Sequence, residues 1–206
     1  MFLALLFSAA ITTHAPAKPA HTAAKPHKPA AAAAHKPKHP APPPFDPANP
    51  LAEASLGMVQ CYDPDTVHKT CGSLSSYRDN GDGTWSNIAA VLISQTPPAI
   101  LQTITPISVQ PGAICGEIKP EDITAGTLTI NGSLYAADAA APILGKVQTA
   151  MSSLYGHQIC TSYVDNGKDL TATVTFDGQP HPPDSEVRWV YADDGYKVAP
   201  PPTKPN

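Results

Sequence analysis

Four cysteines, Cys61, Cys71, Cys115 and Cys160, constrain this chain more than any other feature of its 206 residues. An even count behind an export-type N-terminus reads as two disulfides, for which three connectivities exist. Proximity favours Cys61–Cys71 and leaves Cys115–Cys160 as a long-range staple, closures that would stabilise by roughly 3 and roughly 4 kcal/mol. A four-thiolate zinc site would show cysteines spaced two to four residues apart, and this sequence has no such pair. The first loop encloses DPDTVHKT, where Asp63 is expected to cap a short helical turn with Pro64 in its first position.

Export is read from MFLALLFSAAITT. Its apolar run of about ten residues is too short to span a bilayer, which needs about 20, and small residues follow it. Residues 1–13 are therefore expected to be a signal peptide. Residues 14–45 contain Ala, Pro, Lys and His almost exclusively and cannot build a core, so they are expected to be a disordered linker. This tail holds five of the 13 Lys and Arg and none of the 17 acids, which leaves 8 basic and 17 acidic residues for the rest. An acidic body argues against nucleic-acid binding, because neutralising phosphates needs a Lys/Arg face. The basic tail is expected to make at most weak, salt-sensitive contact with anionic polymer or lipid. The expected compartment is periplasmic or extracellular.

Residues 46–192 read as one α+β domain, a mostly antiparallel sheet with one long packed helix and two disulfides. Leu51, Ala54, Met58 and Tyr62 recur at helical spacing and predict a short helix. Ser73–Arg78 and Thr84–Ser94 predict a hairpin turning at DNGDG, its second strand apolar on both faces. Ile100–Val109, interrupted by Pro106, and Ile114–Ile118 predict edge or bent strands, and Thr127–Ile130 another. Asp138–Tyr155 predicts the long helix, with Asp138 as N-cap and Gly156 as terminator. Ile159–Val164, Leu170–Phe176 and Glu186–Tyr191 predict the last strands, and residues 193–206 a loose Pro-rich tail.

The segments VQCYDPDTVHKTCGSLSSY, VLIS, ITPISV, GAICGEI, ICTSYV and VRWV, in this order, resemble a group of exported alphaproteobacterial proteins with a similar four-cysteine pattern and a closing strand that carries a Trp, here Trp189. The resemblance spans roughly residues 56–190. It implies an envelope address and carries over no activity, ligand or site residue.

No catalytic constellation stands out. RDNGDG begins like a calcium loop, but Arg78 would occupy the first ligand position and Ala89 the twelfth, so a hairpin turn is the better reading. A serine-hydrolase elbow, a C-x-x-C pair and phosphate-binding glycine motifs are all absent from the sequence. His68, His157 and His181 are the body's only histidines, each with an ordinary surface or capping explanation. The acid pairs Asp63/Asp65, Glu121/Asp122, Asp184/Glu186 and Asp193/Asp194 could serve hydrolysis only across a cleft. No cofactor is expected, and the five tail histidines suit only loose binding of Zn, Cu or Ni. The sequence therefore predicts an exported binding or scaffolding module with an envelope partner; the alternative is a small hydrolase acting on an envelope polymer.

Overall fold

A computed structural model describes residues 39–40 and 42–202; the signal segment and nearly all of the tail expected at residues 14–45 lie outside the described residues. Its strands are β1 (Met58–Tyr62), β2 (Thr70–Cys71), β3 (Ser73–Asp79), β4 (Trp85–Gln95), β5 (Pro98–Gln110), β6 (Ala113–Gly116), β7 (Thr127–Ile130), β8 (Ser133–Leu134), β9 (Ile159–Asp165), β10 (Leu170–Phe176), β11 (Gln179–Pro180), β12 (Ser185–Tyr191) and β13 (Lys197–Val198). Two short helices, α1 (Pro120–Thr124) and α2 (Ala137–Ala150), interrupt this series.

Eight strands close into an antiparallel barrel in the order β1-β3-β4-β5-β6-β9-β10-β12, and β12 pairs back onto β1. Wall order follows chain order, so the barrel is up-and-down, a closure that leaves no open sheet edge. This overturns the expected α+β arrangement of a helix packed on an open sheet. The error begins at β1. The spacing of Leu51, Ala54, Met58 and Tyr62 suggests a helix, but the segment is a 3₁₀ turn at Ala52–Leu56, a left-handed Gly57 (φ 77°) and then β1. Reading β1 as helix removes the partner of β12, and the sheet then has to stay open.

Chain direction sorts the connections between the two ends of the barrel. The lower end carries the hairpins β3–β4, β5–β6 and β9–β10, the start of β1 and the finish of β12. The upper end carries the Cys61–Cys71 loop, the β4–β5 turn, the long connection 117–158 and the loop before β12. β6 pairs with β5 only at Ile107–Gln110, and above it β7 continues the wall by pairing with Ala99–Gln102. Helix α2 turns Ala140, Leu144 and Val147 into the same core as the barrel interior, together with Ile123 of α1 and Leu128 of β7. It ends at Ala150, short of Tyr155. Its N-cap is Ala136 without a side-chain hydrogen bond, so Asp138 lies in the first turn and is not the cap.

Pro106 sits inside the unbroken β5 with its ring exposed, so the strand is not interrupted there. In the first disulfide loop Asp63 has φ 51° and no helix forms; Asp65 instead accepts the N–H groups of Val67 and His68, both at 2.9 Å. Beyond Asp193, Lys197–Val198 pairs in parallel with Thr70–Cys71.

The barrel interior is apolar toward the upper end and polar at its middle. Gln60 is fully buried, and its Oε1 accepts the hydroxyls of Tyr62 at 2.7 Å and Tyr77 at 2.6 Å. The Tyr163 hydroxyl, from the opposite wall, lies 3.1 Å from the same oxygen and 2.9 Å from that of Tyr62. Burial, reinforced for Tyr62 and Tyr77 by their phenol neighbours, pushes these two phenols well above the ordinary value, and burial pushes Tyr163 up to about 12. One amide thus ties β1, β3 and β9 together across the lumen. Gln60→Leu removes the acceptor that three buried hydroxyls share, leaving Tyr62 and Tyr163 to each other and Tyr77 without this bond; at about 1–3 kcal/mol for a lost partner, a total loss near 3 kcal/mol is expected in urea unfolding. A loss below about 0.5 kcal/mol, the level of a neutral surface change, would deny the network a structural role.

Both disulfides form as proximity suggests. Cys61 pairs with Cys71, and Cys115 pairs with Cys160 directly across β6 and β9. The second joins two strands that share only four residue pairs and closes the long connection bearing α1, β7, β8 and α2. Replacing both its cysteines with Ser is expected to cost roughly 4 kcal/mol, and losing Cys61–Cys71 somewhat less. Equal unfolding midpoints for the two double variants would contradict that order.

Candidate cleft at the lower end of the barrel

The wall has one weak seam. β12 pairs with β1 along Val187–Tyr191, but on its other side it meets β10 only at Ser185, Glu186 and Val187. From Arg188 to Tyr191 that side carries no strand. Instead the chain leading into the barrel crosses here as a proline-rich strap, described at His39–Pro40 and Pro42–Phe45. Prolines have no N–H to donate, so this segment can lie beside β12 without extending the sheet.

Aromatic and polar contacts fix the strap. The His39 ring stacks on Tyr191 with centroids 4.0 Å apart, and its Nε2 is hydrogen-bonded to Asp193 Oδ1 at 2.6 Å. The Tyr191 hydroxyl donates to the Pro40 carbonyl at 3.3 Å. Phe45 meets Tyr163 edge-on at 6.2 Å, and the Pro47 carbonyl accepts the Gly112 N–H at 2.9 Å, which carries the chain across the lower end to the β5–β6 turn. Leu51 then plugs that end, almost wholly buried.

Between strap, seam and the β9–β10 hairpin lies a cleft of about 200 Å³, lined by Pro42–Phe45, Glu53, Asp165, Gly167–Leu170 and Val187–Trp189. The hairpin takes its shape from side chains acting on backbone. Asp165 accepts the Gly167 N–H at 2.7 Å, and Asn166 accepts the N–H groups of Lys168 at 3.2 Å and Asp169 at 2.8 Å. This presents Asp169 to the wall, where Arg188 donates to both carboxylate oxygens, one of these bonds measuring 2.8 Å. Burial alone would raise the Asp169 carboxyl. The hydrogen bonds from Arg188 and Glu186 and the Arg188 charge outweigh it and hold the group below the ordinary carboxylate value. The bond to Asp169 in turn raises the Glu186 carboxyl above its ordinary value.

Two groups in the cleft are different. Glu53 is 2% exposed and Trp189 is 9% exposed, yet Glu53 Oε2 and Trp189 Nε1 have no hydrogen-bond partner among the described residues. Buried polar atoms are rarely left this way, because each costs about 1–3 kcal/mol. Burial raises the Glu53 carboxyl; its own backbone N–H works against that shift and the Asp46 charge adds to it.

The residues considered for chemistry lie elsewhere. His68, beside Asp65 at 2.7 Å, His157, beside Asp177 at 2.5 Å, and His181, stacked on Phe176 at 4.2 Å, all sit at the upper end, away from the cleft. Asp63/Asp65, Glu121/Asp122 and Asp184 are at the upper end too; of the predicted acids, Glu186 reaches Asp169 at the cleft and Asp193/Asp194 approach its surroundings. The DNGDG segment is a hairpin turn in which Asp79 and Asp82 accept backbone N–H groups. His39 is the one tail histidine among the described residues. With the carboxylates of Asp193 and Asp194 it forms a group whose ligand atoms lie within 4.8 Å of one another. Sequence reasoning missed Glu53, Asp169, Arg188 and the strap. The signal present was a Trp in the closing strand and a tail that ends in PPPF; their meeting depends on closure.

No family model, curated protein or solved structure matches this chain. The two disulfides point to an oxidising, non-cytoplasmic setting. No helix among the described residues is long and apolar enough to cross a membrane.

A buried carboxyl with a raised pKa weakens the fold where it is ionised, so stability recovers as pH falls from neutral toward the ordinary value near 4.3. Glu53→Gln is therefore expected to raise the urea midpoint at pH 7 and to flatten its rise between pH 7 and about pH 4.5. A Gln variant less stable than the parent at pH 7 would mean that the carboxylate is held by a favourable contact.

Proposed function

We propose that the protein is an exported binding module of the cell envelope that works through the lower cleft. The observation that carries this is the pair of buried, unpartnered groups in one recess, the Glu53 carboxyl and the Trp189 indole N–H. A donor and an acceptor left open in a rigid wall suit recognition of a polar partner, which supplies what the wall lacks. The alternative, a hydrolase, would need a second free acid or a histidine at the same place. Of the other acids in the lining, Asp169 is committed through both oxygens to Arg188 and Asp165 accepts the Gly167 N–H in the β9–β10 turn, and the three histidines of the body are at the other end. Periplasmic residence and a partner in the envelope fit the apolar N-terminal run and the disulfides.

Co-sedimentation of the oxidised protein with purified envelope fragments tests this. Retention is expected to fall at least fivefold in Trp189→Phe, which keeps a ring and removes the N–H, and no soluble fragments should be released. Equal retention of the two proteins would sink the assignment to this cleft. Release of fragments by the parent and not by Glu53→Gln would favour hydrolysis.

A further inference from the structure

We propose that the groove along the free side of β12 recognises a proline-rich, basic polypeptide segment, and that His39–Phe45 is a tethered version of that ligand. The inference rests on the reading of the lower cleft as a binding site and names the class of partner it takes.

The chemistry of the wall and of such a segment is complementary. A run of prolines offers backbone carbonyls and no N–H groups, so whatever binds it must supply donors and flat apolar surface. Along β12 the donors are the Tyr191 hydroxyl and the Trp189 indole N–H, two residues apart on one face. The first already donates to the carbonyl of Pro40, as this mode requires. The second stands beside Pro42–Pro44 in the same cleft and has no acceptor. The strap therefore satisfies one half of the groove and not the other. A strand free to choose its register could place a carbonyl on each donor, which a strand tied to Phe45 and Pro47 cannot.

Charge points the same way. Asp193 and Asp194 stand at the entrance, where Asp193 already holds the His39 ring, and Asp165 lines the cleft further in. The segment that leads into the strap, HKPK at residues 35–38, is basic and free of acids. A proline-rich segment also loses little conformational freedom on binding, since its extended helix forms in advance. Tethering sets the competition: a strap linked to its own groove acts at an effective concentration of order millimolar, so a partner must displace it.

The probe is a synthetic peptide of residues 35–45, with a same-charge control in which every proline is alanine. The protein is the full chain with His39, Pro40, Pro42, Pro43 and Pro44 all replaced by Ser, which leaves Phe45 to plug against Tyr163. The proline peptide is expected to bind this variant saturably, with a change in Trp189 fluorescence, at least tenfold more tightly than it binds the parent. Its affinity should exceed that of the alanine peptide at least tenfold, and Trp189→Phe placed in the variant should remove most of that margin. Equal binding of the two peptides would overturn the proposal, since charge alone would then explain it.

Should the variant fail to fold, the parent supplies a second measurement. Tryptic cleavage after Lys38 should accelerate when millimolar proline peptide displaces the strap, and an unchanged rate would count against the groove. If envelope fragments still depend on Trp189 while neither peptide binds, the class of partner named here is wrong and the binding role of the cleft stands. If neither binds, both fall.

Discussion

Pairing of the first strand of the barrel with the last holds the remaining features in place. Met58–Tyr62 runs antiparallel to Val187–Tyr191 over five residue pairs, and without it β12 would be the edge of an open sheet. Closure brings the Tyr163 hydroxyl from the far wall onto the Gln60 amide, which Tyr62 and Tyr77 already reach from β1 itself and its neighbour β3. It also sets Trp189 opposite Gln60, between the polar middle of the lumen and the lower end. The disulfides reinforce the wall at two other places: one across β6 and β9, where pairing is short, and one at the turn that follows β1.

The two ends of the barrel are closed by different means. Upward, a connection of some forty residues contributes α1, β7, β8 and α2, whose apolar side chains merge with the barrel core. Downward, the closing material is the entering chain itself, and prolines make it a poor strand. The seam between β10 and β12 is therefore filled by packing and side-chain contacts, and the cleft is the space that such filling leaves. Of the buried polar atoms without a partner among the described residues, Glu53 Oε2 and Trp189 Nε1 lie where the hydrogen-bonded wall stops; Gln60 Nε2, Ser73 Oγ, Asn87 Oδ1 and Thr161 Oγ1 belong to residues outside the cleft.

Much of the local structure was legible in the sequence. The hairpin strands around DNGDG, Thr127–Ile130, Leu170–Phe176 with its solvated threonine face, and the pairing of all four cysteines follow from alternation, turn residues and spacing. Closure was not legible, because it rests on contacts between residues about 130 positions apart, and no local period encodes them. The same limit hid the cleft. Glu53 lies in a 3₁₀ turn that imitates a helix, Asp169 in an ordinary Asn-Gly hairpin, and Arg188 in a strand whose neighbour depends on β1. Asp63 shows the limit at short range: a good capping residue stood two places from Asp65, which makes the hydrogen bonds.

Backbone NMR on the oxidised protein tests the central claim most directly, by reading cross-strand contacts and amide exchange along β12. The account predicts contacts from β12 to β1 in the register Gln60 opposite Trp189, slow exchange at Val187, where β12 is paired on both sides, and faster exchange from Arg188 on the side that faces the strap. Absence of the β1 contacts, with fast exchange along all of β12, would show an open sheet and remove the seam, the cleft and the reading built on them.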